Sequence, residues 1–188
     1  ITPQDVSISN VRQILFAGGK WVGNYISPDL EVPEAHKAVL MQVGAYARDY
    51  GHVADEGINC GIDYFVSGDE VIVTEINARW TGGLFPAEFL RRLAIPQPAV
   101  AFFDMVPVAQ SKAVQAFQRE HLFPAAGDAF AYVPMGFTPF AMEIEGAERY
   151  FVWQIVVGDF AAFVEAKRQK LPEDTFPTAE LILQEALS

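Results

Sequence analysis

The residues of this chain whose types and spacing could do chemistry gather in residues 60–86, C-G-I-D-Y-F-V-S-G-D-E-V-I-V-T-E-I-N-A-R-W-T-G-G-L-F-P. Residues 59–66 and 71–77 alternate around Gly68 and Asp69 and predict a β-hairpin. With a three-residue loop over 68–70, Ser67 faces Val71 and Asp63 faces Glu75, and Asn77 shares the face of Glu75. The opposite face then collects Ile62, Tyr64, Val66, Ile72, Thr74 and Ile76. A two-residue loop would pair Asp63 with Thr74 and turn the carboxylate onto the apolar side, so the hydrophobic pattern selects the longer loop. Carboxylates opposed across two strands repel by roughly 0.2–1 kcal/mol, a cost that a cation between them removes. Asp63, Glu75 and the amide oxygen of Asn77 form an all-oxygen, anionic set suited to Mg²⁺ or Mn²⁺, which keeps waters and takes phosphate oxygens.

Three further features join this face. Arg79 follows Asn77 by two residues and is expected to point into the same site. Thr81, Gly82 and Gly83 open the next predicted helix, whose first N–H groups can hold an anion. Phe65 lies two residues from Asp63 and reads equally as an apolar floor for a base or as core packing. Each residue taken singly has an ordinary structural reading, and it is their agreement on one face that carries the chemistry. Cys60 reads as a small buried residue with no base placed to activate it. His52, in the polar loop 51–57, reads as a surface residue before a substrate contact, and Gln13 and Lys20 read as plainly exposed.

The elements that must position these residues follow from periodicity. Residues 6–14 and 15–26 alternate around Gly18-Gly19 and predict strands with a turn between them. Residues 33–50 predict a helix, with Pro33 in its first turn, Gly51 as its stop and Val39, Val43, Tyr46 and Tyr50 at helical spacing. Residues 84–93 predict a second helix, ended by Pro96 and Pro98. Beyond, a helix over 112–119 precedes short strands within 130–157, and two helices close the chain, the last over 177–187. Asp159 caps the first of these over Phe160, Phe163 and Val164, with Lys167, Arg168 and Lys170 at its end. Strands and helices mix without strict β-α alternation, so the fold class is α+β with a largely antiparallel sheet.

Composition bounds the function. The 188 residues are 51% apolar and 13% aromatic, enough for a packed core. Thirteen Lys and Arg against 24 Asp and Glu give a net charge of −11, which repels nucleic-acid backbones. No apolar run reaches the ~20 residues of a membrane span, and Asp104 interrupts the best candidate. One cysteine and no recognisable signal peptide fit a reducing, cytoplasmic setting.

The run G-I-D-Y-F-V, then V-T-E-I-N-A-R-W-T-G-G, resembles the metal-binding half of the ATP-grasp superfamily of carboxylate–amine and carboxylate–thiol ligases. Asp63, Glu75, Asn77 and Arg79 match its acidic residue and Glu-x-Asn-x-Arg pattern, and Gly82-Gly83 before Leu84-Phe85-Pro86 is similar to the peptide-ligase-like branch. The resemblance covers residues 1–95. It implies an ATP-grasp C-terminal lobe at 1–108, with a small α/β appendage at 109–188. It also implies acyl-phosphate chemistry on ATP and Mg²⁺, with small carboxylate and amine substrates. Asp63, Glu75 and Asn77 would hold the metal, Arg79 would act in catalysis, and Phe65, Thr81, Gly82 and Gly83 would line the nucleotide. The family's first lobe has no counterpart here, so the start at Ile1 reads as the beginning of a C-terminal fragment, inactive alone. A non-catalytic binding module and a thiol-accepting ligase are the alternatives. The strands of residues 6–26 leave room for a homodimer.

Overall fold

The computed structural model describes residues 1–68, 70–124 and 128–187. In chain order its elements are β1 (Gln13–Ala17), β2 (Lys20–Ile26), α1 (Glu34–Asp49), β3 (Gly61–Ser67), β4 (Glu70–Asn77), α2 (Leu84–Arg92) and β5 (Ala99–Pro107). After a 3-10 turn (Val108–Gln110) come α3 (Ser111–Glu120), β6 (Phe130–Phe137), β7 (Met142–Ile144), β8 (Ala147–Gly158), α4 (Phe160–Lys170), α5 (Pro177–Leu181) and a π-helical turn (Ile182–Ala186). All named strand pairs are antiparallel, and the class is α+β as the periodicity predicts. None of the described helices is long and apolar enough to cross a membrane.

Packing divides the chain into two units, Ile1–Val11 with Asp29–Ala94, and Arg12–Pro28 with Ile95–Ser188. The expected division after residue 108 is not the one drawn. β5 pairs with β8 from Ala99↔Val157 to Pro107↔Arg149, and with β2 on its other side. The β1–β2 hairpin and β5 therefore belong to the sheet of the second unit, in the order β1-β2-β5-β8-β6 with β7 beside β8.

In the first unit α1 buries Leu40, Gly44 and Ala47, and α2 buries Leu84, Pro86, Ala87 and Leu90. The α1 stripe differs from the expected one. Tyr46 and Tyr50 lie on the exposed side and pack on each other at 4.5 Å. The reason is Gly44, against which Val6 seats so closely that a Cβ there would stand 2.5 Å from Val6 Cγ1. Residues 6–12 accordingly form no strand, and β1 starts only at Gln13. Asn10 Nδ2 donates to Glu88 Oε1 at 2.6 Å, and Arg91 grips the same carboxylate and holds it below the usual range.

The second unit packs one sheet face, including Val100, Phe102, Val106, Tyr132, Val152 and Val156, against three helical segments. Phe160, Phe163 and Val164 of α4 fill this core as predicted, and Asp159 Oδ1 accepts the Ala162 N–H at 3.0 Å. The same stripe continues to Lys167, which is 1% exposed and donates to Glu180 Oε1 at 2.9 Å. Arg168 meets the other oxygen of Glu180 at 2.6 Å, so one carboxylate ties α4 to α5.

Asp104, read from the sequence as an interruption, is a cap supplied from a distant strand. Phe176 precedes α5 in a left-handed conformation and offers no side-chain acceptor for the helix N-terminus. Asp104 on β5 accepts the N–H of Thr178 and of Ala179, both at 3.1 Å, while 1% exposed. The expected helix over 177–187 accordingly begins as α5 and ends in the π-helical turn, where Leu187 N–H bonds Ile182 C=O at 3.0 Å.

Burial pushes the Asp104 carboxyl up to about 7, against the pull of the backbone N–H groups of Met105, Thr178 and Ala179. An unfolded Asp titrates near ~3.9, so between these values the folded chain holds a proton that the unfolded chain has released. The contribution of Asp104 is therefore complete below about pH 4 and is lost as pH rises through about 7. Asp104→Asn removes this dependence. The stability difference between the natural chain and the variant, from urea unfolding, is expected to change by on the order of 1 kcal/mol per pH unit over that window. A pH-independent difference would exclude Asp104 as the source.

Candidate functional site

The β3–β4 hairpin of the first unit brings Asp63 opposite Glu75, as expected, by a different route. Ser67 pairs with Glu70 rather than Val71, which leaves two residues between the strands rather than three. Gly68 enters the turn at φ +62°, and Asp69, the other predicted turn residue, lies outside the described residues. From the turn the ladder runs Val66↔Val71, Phe65↔Ile72 and Tyr64↔Val73, then skips Thr74 to Asp63↔Glu75, Ile62↔Ile76 and Gly61↔Asn77. Thr74 is the extra residue of a β-bulge, and its hydroxyl donates to Asp63 C=O at 3.0 Å.

The bulge changes the faces. The apolar side holds Ile62, Tyr64 and Val66 with Val71, Val73 and Ile76, in place of the predicted Ile72 and Thr74. Ile72 instead joins Phe65 on the carboxylate side, 37% and 51% exposed respectively. Sequence reasoning missed Ile72, though a signal was present. Val71 and Val73 are two apart but Ile76 follows after three, the spacing of an interrupted alternation.

Around the opposed pair, Asp63 is half-buried, Glu75 exposed and Asn77 buried at 6% exposure. Asn77 Nδ2 donates to Asp63 Oδ2 at 3.4 Å, a long contact that sets the amide beside this carboxylate. Asn77 is fixed from below by Gly61. A Cβ at Gly61 would stand 2.7 Å from Thr81 Cγ2 and 3.4 Å from Asn77 Cβ, so glycine lets the Thr81 side chain pack closely against β3. The return begins with the Arg79 N–H on Asn77 C=O at 2.7 Å and ends with the Leu84 N–H on Thr81 C=O at 3.0 Å. Gly83 then stands at the N-terminal cap of α2 with no side-chain cap, while Gly82 is exposed with open space around it.

Arg79 is exposed, and its guanidinium makes no ion pair among the described residues. The other cations of this unit are each matched locally: Lys37 to Glu34, Arg48 to Asp49, and Arg91 and Arg92 to Glu88. Burial pushes the Cys60 thiol up, away from the reactive thiolate, and the residue is half-buried rather than fully so. His52 Nε2 lies 2.9 Å from Asn59 C=O, which ties it to its own loop. Among the described residues no group of three or more His, Cys, Asp and Glu side chains is placed to hold a metal. The donor set here is two carboxylates and an amide.

A second opposed pair occurs in this molecule. Glu143 faces Glu148 across β7 and β8. Both are exposed, at the tip of a hairpin whose turn is Glu145-Gly146. Opposition of like charges alone therefore does not distinguish a site. The Asp63–Glu75 pair differs in its buried amide neighbour and its glycine-dependent closure. No protein-family model, curated protein or solved structure matches the chain.

The roles of the two glycines predict different tolerances. Gly61→Ala is expected to lower stability by about 1–3 kcal/mol, the usual cost of forcing volume into a packed contact. Gly82→Ala should leave it within about 0.5 kcal/mol. Thermal unfolding of both variants checks this, and equal losses would remove Gly61 as the closure point.

Proposed function

We propose that this chain carries the metal-binding half-site of an ATP- and Mg²⁺-dependent carboxylate–amine ligase of the ATP-grasp type. The observation that carries the reading is the register that sets Asp63 opposite Glu75, with Asn77 closing the same cluster.

The donor set suits the cation. Two carboxylates and an amide are hard oxygen ligands, too few to enclose an ion, which matches the preference of Mg²⁺ for retained waters and phosphate oxygens. Glu75 is exposed, so its oxygens are reachable by a ligand that brings its own phosphates. A bound Mg²⁺–ATP complex would supply the phosphoryl group that activates a carboxylate for attack by an amine. Asp63, Glu75 and Asn77 would hold the cation. Arg79, without an ion pair among the described residues, would neutralise phosphoryl charge. Thr81, Gly82 and Gly83, before α2, would line the nucleotide phosphates, although the Leu84 N–H is already bonded to Thr81 C=O and Pro86 has no N–H to offer. Phe65, with Ile72 beside it, would offer a flat base an apolar floor. Such catalysis works by positioning and charge neutralisation, and it requires no protein nucleophile. In this reading a first lobe outside these 188 residues holds the rest of the nucleotide.

Mn²⁺ titration followed by electron paramagnetic resonance tests the half-site without nucleotide. The chain is expected to bind Mn²⁺, and Glu75→Gln to weaken binding by about tenfold or more, because one anionic ligand is gone. The same substitution should raise metal-free stability by roughly 0.2–1 kcal/mol, since the opposed carboxylates no longer repel. Glu148→Gln, in the other opposed pair, should leave Mn²⁺ affinity unchanged. Equal effects of the two substitutions on Mn²⁺ would overturn the proposal.

A further inference from the structure

The hairpin that carries the carboxylates is also a sheet with two outer edges. β3 and β4 pair with each other alone, whereas the other named strands join the six-stranded sheet. A two-residue turn makes Ser67↔Glu70 a hydrogen-bonded pair, and alternation then leaves Val66↔Val71 and Tyr64↔Val73 as non-bonded pairs. The N–H and C=O groups of Tyr64 and Val66 therefore point away from β4, along the outer edge of β3. Among the described residues no backbone group outside the hairpin bonds them.

Edge strands commonly carry a device against further pairing, and the other edges of this molecule do. β6 has Pro134 with a bulge after it, β1 spans only five residues, and β4 is bulged at Thr74. β3 runs for seven residues with no proline, lysine or arginine and no surplus residue of its own. The two faces of the hairpin differ in kind. One collects Asp63, Glu70 and Glu75, and no Lys, Arg or His occurs from Gly61 to Asn77 to balance them. The other holds Ile62, Tyr64 and Val66 beside Val71, Val73 and Ile76, with Val66 46% exposed.

We infer that the outer edge of β3 docks an extended segment of a partner protein in which Lys or Arg alternates with β-branched residues. Backbone pairing with Tyr64 and Val66 holds the added strand. Its period of two then lays every second side chain on the acidic face and the others on the apolar face. Charge selects the occupant. A second copy of β3 brings Asp63 as its only charged residue, from a chain of net charge −11, so it adds acid to an acidic face. A basic segment is attracted to the same face. The inference goes beyond the ligase reading and does not depend on it, since it uses only the backbone edge and the charge of one face.

The test titrates the metal-free 188-residue chain with end-capped peptides KVKVKV and EVEVEV. A third peptide is KVKVKV with its backbone N-methylated, which keeps the side chains but cannot donate a backbone hydrogen bond. Amide hydrogen exchange of Tyr64 and Val66, followed by nuclear magnetic resonance, reports on the edge. KVKVKV is expected to bind about tenfold or more tightly than either control and to slow exchange at both amides. Val66→Pro removes an outward N–H, a change that edge strands tolerate, and should weaken KVKVKV binding by about tenfold. Should that variant fold poorly, the N-methylated peptide still decides the matter. Absence of KVKVKV binding, equal binding of the three peptides, or binding that leaves both amides exchanging as before overturns the inference. So does protection of both amides that rises with chain concentration before any peptide is added, because a second copy then holds the edge.

Discussion

The pleat of a β-strand sends successive side chains to opposite faces, and in the β3–β4 hairpin every functional placement follows from where that alternation is broken. The turn admits two residues, and an unbroken ladder from there would set Asp63 against Thr74. The bulge at Thr74 absorbs one position and returns Glu75 to Asp63 and Asn77 to Gly61. It costs a ladder interruption, which the Thr74 hydroxyl partly offsets through its bond to Asp63 C=O. It also keeps Val71, Val73 and Ile76 together on the apolar side. Hydrophobic partition and carboxylate opposition are thus satisfied by the same irregularity. Phe65 and Ile72 end up beside the carboxylates as a consequence, and the return segment closes where Gly61 admits Thr81.

The second unit solves a different problem with a buried charge. Its core is aromatic and aliphatic, and α5 enters it behind a left-handed Phe176 that cannot cap the helix. Leaving those N–H groups unpaired in the interior would cost about 1–3 kcal/mol each. Asp104 satisfies two of them from a strand 70-odd residues earlier in the chain, at separations of 74 and 75 positions. Desolvation of that carboxyl is the counterpart, and its raised proton affinity is the physical trace of the compromise. A second buried ion, Lys167, is matched by Glu180, so both polar intrusions into this core anchor the same C-terminal helix.

The two opposed carboxylate pairs separate a tolerated repulsion from a candidate site. Glu143 and Glu148 face water at a hairpin tip, where high dielectric makes their repulsion small. Asp63 is half-buried beside a buried amide, where screening is weaker. Arg79, two residues beyond Asn77, makes no ion pair with Asp63 or Glu75 among the described residues.

The amino-acid sequence by itself determined the helices over 33–50 and 84–93, the β3–β4 hairpin, the antiparallel α+β class, the cap at Asp159 and the opposition of Asp63 and Glu75. All of these rest on local periodicity and short sequence separation. It also carried the resemblance on which the functional reading stands. Tertiary structure alone decided the rest. Asp104 read only as an interruption of an apolar run, because the N–H groups that it caps lie 74 and 75 residues away, and β5 was not foreseen. The face of α1 turned away from Tyr46 and Tyr50 because Val6 seats on Gly44, a contact no helical spacing encodes. The boundary at residue 108 failed for the same reason, since β5 is claimed by β2 and β8. Even the correct pairing of the two carboxylates came with the wrong turn. The period of two was readable, but whether a surplus residue sits in the loop or bulges from the strand depends on what each face packs against.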